Sequence, residues 1–437
     1  MKPSLTGPRV AALEKELAEF WRHVEEQGTP LIEPIEDEPG WHLVTFLWRD
    51  KGDGRTVIIL SGPGHWDARE DVMRRLPGSD VWFRTYRLRS DWRGSYRFLP
   101  TDSPRDLQHV DDWSKYSDRF QPDPLNPRKL VWPRDPDDPE DRDEVLSVVE
   151  LPDAPPQLWF KPRPATPAGS VEEHRVRSEL GNERRVWVYT PPGYTASGEP
   201  YGLALLFDGA VWARMMPIAP TLDNLLADGK TPPLVAVMVG SVNRSVELPC
   251  HQPFVDFLVR ELVPWVQERW HVTNDPARVI AAGQSYGGLA AAFVALRSPQ
   301  TIGNVLGQST SCWWKDETDF DMEAEWLTQE FVRSPRVPIR RFYLEAGLME
   351  TGHHAILQGN RHFRHILELK GYDVTYREYN GGHDYLCWRG GLADGLIVLT
   401  ADWPAEPDRG AVTSSRPGAA EAVRLSVEPC QGEATLP

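Results

Sequence analysis

Apolar residues recur at helical spacing over residues 8 to 27, where Val10, Leu13, Leu17, Phe20, Trp21 and Val24 share one face. From Trp41 the period changes. The segments WHLVTFLW, TVIIL, VWFRTYRLR and SYRFLP are short, aromatic and β-branched, with turn residues between them. They predict a small antiparallel β domain, a sandwich. Residues 101 to 143 carry many Asp, Pro and Arg and few apolar positions, so a long irregular connection is expected there. The Pro-rich stretch LPDAPPQLWFKPRPATPAGS at 151 to 170 marks a boundary, with the seam near 150 to 165.

Beyond the boundary, strand-like and helix-like patterns alternate. RRVWVYTPP, LALLFDG, PLVAVMVGS, RVIAAG, NVLGQS, IRRFYLEAG and DVTYREYNGG read as strands. HQPFVDFLVRELVPWVQERW, SYGGLAAAFVALRS and the region from 353 to 370 read as helices. This alternation predicts an α/β fold, a mostly parallel sheet covered by helices on both faces. The expected plan is a β domain over 1–155, an α/β domain over 156–404 and a tail over 405–437. That tail is rich in Ala, Pro, Ser, Gly and Glu, lacks periodicity and is expected to be disordered.

The 437 residues favour two domains over one core. The net charge of −16 disfavours nucleic acid and anionic membranes as partners. An anionic substrate would need arginines to reverse the field locally. No apolar run reaches membrane-spanning length, and the first twenty residues hold no signal-peptide core. Cys250, Cys312, Cys387 and Cys430 show neither CxxC pairing nor zinc-ligand spacing. Reduced thiols in a cytoplasmic protein, with no metal site, are expected.

The strongest local signal is Gly283-Gln284-Ser285-Tyr286-Gly287, which fits G-x-S-x-G between a buried strand and a small-residue helix. On that sharp turn the Ser285 hydroxyl would project above the sheet as a nucleophile, as in an α/β-hydrolase. The helix N-terminus behind it favours a developing negative charge, and the Tyr286 N–H is one expected oxyanion donor. The second is expected from Gly209 or Ala210, in the loop after LALLFDG. The plainer alternatives are a capping serine and an ordinary Asp-Gly turn.

The general base must follow the last strands, in the order Ser, acid, His. His383, after Gly381-Gly382, lies on a loop at the sheet's carboxyl edge. His353 and His354 come too early, and His362 and His365 lie within a helical stretch. Two carboxylates compete for the acid's place. Glu345 ends a strand, and Glu350 sits on the loop after Gly347. Glu350 is preferred, because that loop should face the histidine. Asp384, adjacent to His383, is a poor geometric candidate.

These residues also carry a family resemblance. DPLNPR at 123–128, RSVELPC at 244–250, AGQSYGGL at 282–289, CWW at 312–314, LEAGLMET at 344–351 and GGHDYLCWRGGL at 381–392 resemble the enterochelin (enterobactin) esterases. The resemblance runs from about Trp41 to Pro404. It implies an immunoglobulin-like β-sandwich ahead of an α/β-hydrolase domain. It also implies hydrolysis of the trilactone of ferric enterobactin or a related catecholate siderophore inside the cytoplasm. Ser285 and His383 match the family's nucleophile and base, and Glu350 falls where its acid is expected. Cys312 departs from the family pattern, since an aromatic residue is common there.

Such a substrate would suit arginines that bind catecholate oxygens, Arg244 and Arg389, and indoles that stack on catechol rings, Trp212, Trp313, Trp314 and Trp388. Arg244 could instead pair with Glu247. With 18 tryptophans in the chain, plain packing competes for each of these four. No resident cofactor is implied, because iron would arrive with the substrate. The rival readings are another ester hydrolase or acyltransferase on the same scaffold, a non-catalytic ferric-siderophore binder, and a carbohydrate-linked module.

Overall fold

The computed structural model describes residues 17–50, 56–63, 71–101, 116, 118–316, 324–352 and 354–404. The expected tail over 405–437 with Cys430, the start of the first predicted helix and His353 lie outside the described residues.

The first domain is built on two four-stranded antiparallel sheets. One has the order β1 (Leu31–Pro34), β2 (Trp41–Arg49), β5 (Val81–Arg89), β4 (Arg74–Arg75). The other has the order β3 (Thr56–Leu60), β6 (Arg93–Thr101), β8 (Glu144–Glu150), β7 (Lys129–Trp132). The two-residue period of a strand sorts the side chains. Val44 and Phe46 of β2 meet Val57 and Ile59 of β3 between the sheets, together with Trp92, Tyr96 and Phe98. Leu47 points the other way, where Trp21 and Val24 of helix α1 (Leu17–Gln27) cover the outer face. The DPLNPR stretch is a turn in which the polar side chains of Asp123 and Asn126 are buried. Asp123 accepts from Thr29 and Tyr96 at 2.6 Å each, and Asn126 donates to the Val148 carbonyl. Within the stretch read as irregular, β7 forms a short strand whose side chains alternate between exposed and half-buried.

The second domain holds an eight-stranded sheet. Its order is β16 (Asp373–Tyr379), β15 (Arg341–Gly347), β14 (Asn304–Gln308), β13 (Val279–Gln284), β11 (Gly202–Leu206), β12 (Leu234–Val239), β10 (Glu183–Thr190), β9 (Ser170–Arg177). The six strands from β16 to β12 are parallel, and β10 and β9 continue the sheet antiparallel. Strand bodies such as LALL and LVAVMV are buried throughout, as double-sided coverage requires.

Helices cover both faces. Phe257, Leu258 and Val266 come from the interrupted helix over 252–269. Together with α6 (Tyr286–Arg297), α7 (Trp326–Arg333) and α8 (Ile356–Leu369) they bury one face. The helices α2 (Ala219–Ala227) and α9 (Tyr385–Thr400) bury the other. The short helices α3 (Arg244–Glu247), α4 (Gln252–Phe257) and α5 (Val263–Arg269) complete the chain order. The fold is an α/β-hydrolase domain preceded by a small β-sandwich. Among the described residues no helix is long and apolar enough to cross a membrane, and Cys250, Cys312 and Cys387 are free thiols.

Candidate active site

Three neighbouring strands of the sheet end in residues with left-handed backbone: Asp208 after β11 (φ 56°), Ser285 after β13 (φ 56°) and Ser309 after β14 (φ 46°). Such conformations are costly for residues with a side chain and cluster where geometry serves function. Ser285 stands between β13 and α6. A Cβ on Gly283 would lie 2.3 Å from the Gly287 carbonyl, so the turn closes only with glycine there. The Ser285 Oγ lies 3.2 Å from the Ser311 Oγ. Tyr286 opens α6, and Gly209-Ala210 opens the helical turn after β11, so their N–H groups have no intrahelical acceptor. Gly209 packs tightly on the backbone of β12, where a Cβ would come within 2.6 Å of Met238 and Val239 carbonyl carbons.

The loops after β15 and β16 bring a carboxylate to an imidazole. His383 Nδ1 lies 2.6 Å from Glu350 Oε1. A carboxylate only accepts, so the proton of this bond sits on Nδ1, and in the neutral ring Nε2 is then the acceptor. The other oxygen, Oε2, accepts from the Gly347 N–H at 2.6 Å and the Ser309 hydroxyl at 2.7 Å. Ser309 Oγ in turn accepts from the Trp388 indole at 2.9 Å, and Trp388 packs edge-on against the His383 ring. Glu350 is therefore fixed through both oxygens before any substrate arrives.

Glu345 points elsewhere. Its carboxyl lies under α9, against Gly391, where a Cβ would come within 2.1 Å of Oε1. Gln284, Gln308 and Glu345 are register partners on β13, β14 and β15. The Trp212 indole donates to Gln284 Oε1 (3.0 Å), Gln284 Nε2 to Gln308 Oε1 (2.7 Å), and Gln308 Nε2 to Glu345 Oε1 (2.6 Å). An indole only donates, so the two amides between it and the carboxyl are held in one orientation. Burial pushes the Glu345 carboxyl up to about 7, although Gln308 and Tyr343 donate to it, and the charges of Asp394 and Glu350 push the same way.

Arg244 is held by Asp208 rather than Glu247, with Nε to Oδ1 at 2.7 Å and Nη2 to Oδ2 at 2.8 Å. Glu247 is occupied by the buried Arg184. Burial pulls the Arg244 guanidinium down, but the hydrogen bonds and charge of Asp208 outweigh it and raise its pKa. The guanidinium stands 5.6 Å from the Tyr286 ring. Trp313 packs on Tyr286 and stacks at 3.9 Å on His354, and Trp314 meets Trp326 edge-on.

The remaining candidates are placed differently. Trp212 is 1% exposed and Trp388 2% exposed, and each gives its N–H to a protein acceptor, so neither offers a ring face for stacking. The Arg389 Nε donates to Gln157 at 2.6 Å, and its guanidinium lies 3.7 Å over Phe160, on the segment joining the two domains. Burial lowers its pKa to about 10.

The family model described as enterochelin esterase, N-terminal, matches residues 43–160, and the Esterase family model matches residues 177–399. The iron(III) enterobactin esterase of Escherichia coli K12 is 34% identical over 380 residues, spanning 82% of this chain and 90% of that protein. Its counterpart from Dickeya dadantii is 33% identical over 429 residues, spanning 89% and 94%. The chain belongs to the enterochelin esterase family. Like its relatives, this enterochelin esterase family member is a hydrolase acting on esters. The crystal structure of the enterobactin esterase from Shigella flexneri in the presence of enterobactin superposes with a TM-score of 0.70 at 32% identity, covering 87% of this chain and 97% of that one.

Several site residues of this family member were not singled out from sequence. Asp208 as the holder of Arg244, Ser309 as a ligand of Glu350, Ser311 beside Ser285, and Tyr385, whose hydroxyl donates to Asp208 at 3.3 Å, all emerge from the fold. The hydroxyl run Ser309-Thr310-Ser311, beginning at the last residue of a predicted strand, was the available signal.

Proposed function

We propose that this esterase hydrolyses the trilactone ring of ferric enterobactin, or of a close catecholate relative, so that iron can be released inside the cell. The observation that carries the chemistry is the 2.6 Å His383–Glu350 pair on the carboxyl edge that also bears the strained Ser285. In this reading Ser285 attacks a lactone carbonyl while His383 Nε2 takes its proton. Glu350 holds the tautomer and stabilises the imidazolium. N–H groups at Tyr286 and at Gly209 or Ala210 receive the oxyanion, each worth about 3 kcal/mol. The ring ester oxygen leaves as a seryl hydroxyl, protonated by His383. Water then splits the resulting acyl-enzyme with the same base. The steps use no cofactor of the protein, and the iron is cargo of the substrate.

The substrate assignment rests on relatives named for iron(III) enterobactin, at about one-third identity across both domains. The site adds a cation, Arg244, fixed by two hydrogen bonds in a chain of net charge −16. An arginine so held is ready for catecholate oxygens without an ordering cost. Of the four candidate indoles, Trp313 and Trp314 are partly exposed. Opening the ring removes the preorganisation that gathers three catecholates around iron.

The test is chromatography of ferric and iron-free enterobactin after incubation with wild type and with Ser285→Ala. Linear and monomeric dihydroxybenzoylserine from the wild type alone is expected. Tight binding of the ferric complex without cleavage would replace the esterase reading with that of a binder.

A further inference from the structure

We propose that the β-sandwich domain serves as a positioning clamp for the catalytic acid and base. The turn between β5 and β6, and the first residues of β6, lie against both loops that carry the pair. Trp92 donates its indole N–H to Met349 Sδ at 3.0 Å, and the half-buried Met349, one residue before Glu350, packs against the sandwich's own core. The Ser95 N–H donates to Asp384 Oδ2 at 2.6 Å, one residue after His383. Asp384 Oδ1 simultaneously caps α9 through the Leu386 N–H at 2.8 Å. Asn380 donates to Asp91 Oδ1 at 2.6 Å. The two loops are also joined to each other, the Met349 N–H donating to the Gly381 carbonyl at 3.1 Å.

Loops are the least constrained parts of a fold, and a catalytic pair must hold its geometry to about half an ångström. Within the hydrolase domain, Glu350 is gripped by Gly347 and Ser309. The flanks of both loops obtain further anchorage from the other domain: a thioether packed against its core, a carboxylate on its backbone and an amide at the turn that links its two sheets. Asp384, the carboxylate next to the catalytic histidine, therefore serves as a bridge between domains rather than as the triad acid. Asp91, Trp92 and Ser95 are positioning residues acting through Met349, Asn380 and Asp384.

This inference rests on Ser285, His383 and Glu350 being the catalytic set, and the test separates the two. Full-length Asp384→Asn, which keeps a cap acceptor but sets an amide against the Ser95 N–H, and the milder Trp92→Phe and Asn380→Ala are compared with wild type. Active sites are counted by fluorophosphonate labelling of Ser285, so misfolded protein does not contribute. The expected result is kcat per labelled site lowered about tenfold or more for Asp384→Asn, with KM within about twofold and a displaced acidic limb of the kcat–pH profile. Trp92→Phe and Asn380→Ala should show the same pattern more weakly. Unchanged kcat per labelled site in all three, with only the melting temperature lowered, would reduce these contacts to domain adhesion and overturn the proposal. Failure of the wild type to label at Ser285 would instead overturn the catalytic reading beneath it.

Discussion

In the body of the eight-stranded sheet, Leu203, Leu205, Val237, Ile280 and Val305 are buried and apolar. At the carboxyl ends of the same strands stand Asp208, Gln284-Ser285, Gln308-Ser309 and Glu345. The body spends its sequence on burial, roughly 2 kcal/mol for each such side chain. The edge does the reverse. It holds three residues in left-handed backbone, two carboxylates buried beneath helix and loops, and a run of amides that could have been leucines. Each of those choices costs stability, and the apolar body is what makes them tolerable. Substitutions at the edge and in the body should therefore separate activity from stability.

The largest separation is expected at Ser285→Ala. Turnover should fall by about 10⁴-fold or more, with a melting temperature equal to or above that of the wild type, since the strained turn loses only its hydroxyl. Glu350→Gln comes next. The amide would still fill the space, but it cannot accept through both oxygens, and kcat should drop by about 10³–10⁴-fold, measured by product chromatography on an enzyme that melts normally. A Glu350→Gln variant with wild-type kcat would mean that the edge carboxylate is structural.

Glu345→Gln sharpens the contrast between edge and body from the other side. The folded protein raises the Glu345 carboxyl to about 7 from an ordinary value near 4.5, burial being the main cause. Between these values the folded state binds the extra proton, so stability contributed by protonated Glu345 falls as pH rises. The Gln variant has no such proton to lose. Its melting temperature relative to wild type should therefore climb from pH 5 to pH 8, by up to about 3 kcal/mol of stability, read by calorimetry across that range. A pH-independent difference would mean that Glu345 does not titrate there.

Arg244→Lys should lower kcat/KM about tenfold, chiefly through KM, because lysine cannot reproduce the two-point grip on Asp208. Ile280→Val, in the sheet body, should cost only about 1 kcal/mol and leave kcat per active site unchanged.

The two regions also differed in how readily they could be read from sequence. The alternation of apolar strands with helices revealed the sheet body, because buried parallel strands must be apolar along their whole length. The outermost strand β9 was passed over because SVEEHRVR is an exposed edge with a single buried position, and β7 because four alternating residues sit in an Asp- and Pro-rich run. At the carboxyl edge, motif and order drew attention to Ser285 and His383, since a strand–turn–helix around G-x-S-x-G is local. Between Glu345 and Glu350 the sequence offered only loop position in favour of Glu350, because the choice depends on which side of the sheet each carboxyl faces. Gly391 on a distant helix, not anything nearby in the chain, makes room for Glu345. Trp212 and Trp388 were expected at the substrate for the same reason: an indole's role depends on whether its face is open, and both are enclosed.

Capture of the acyl-enzyme would show the role of Ser285 directly. The Glu350→Gln variant, in which deacylation is slowed along with acylation, is mixed with ferric enterobactin, quenched in acid at short times, digested and examined by mass spectrometry. A siderophore-derived acyl group on the peptide containing Ser285 is expected. An adduct on another residue, or continued cleavage by Ser285→Ala, would contradict that role.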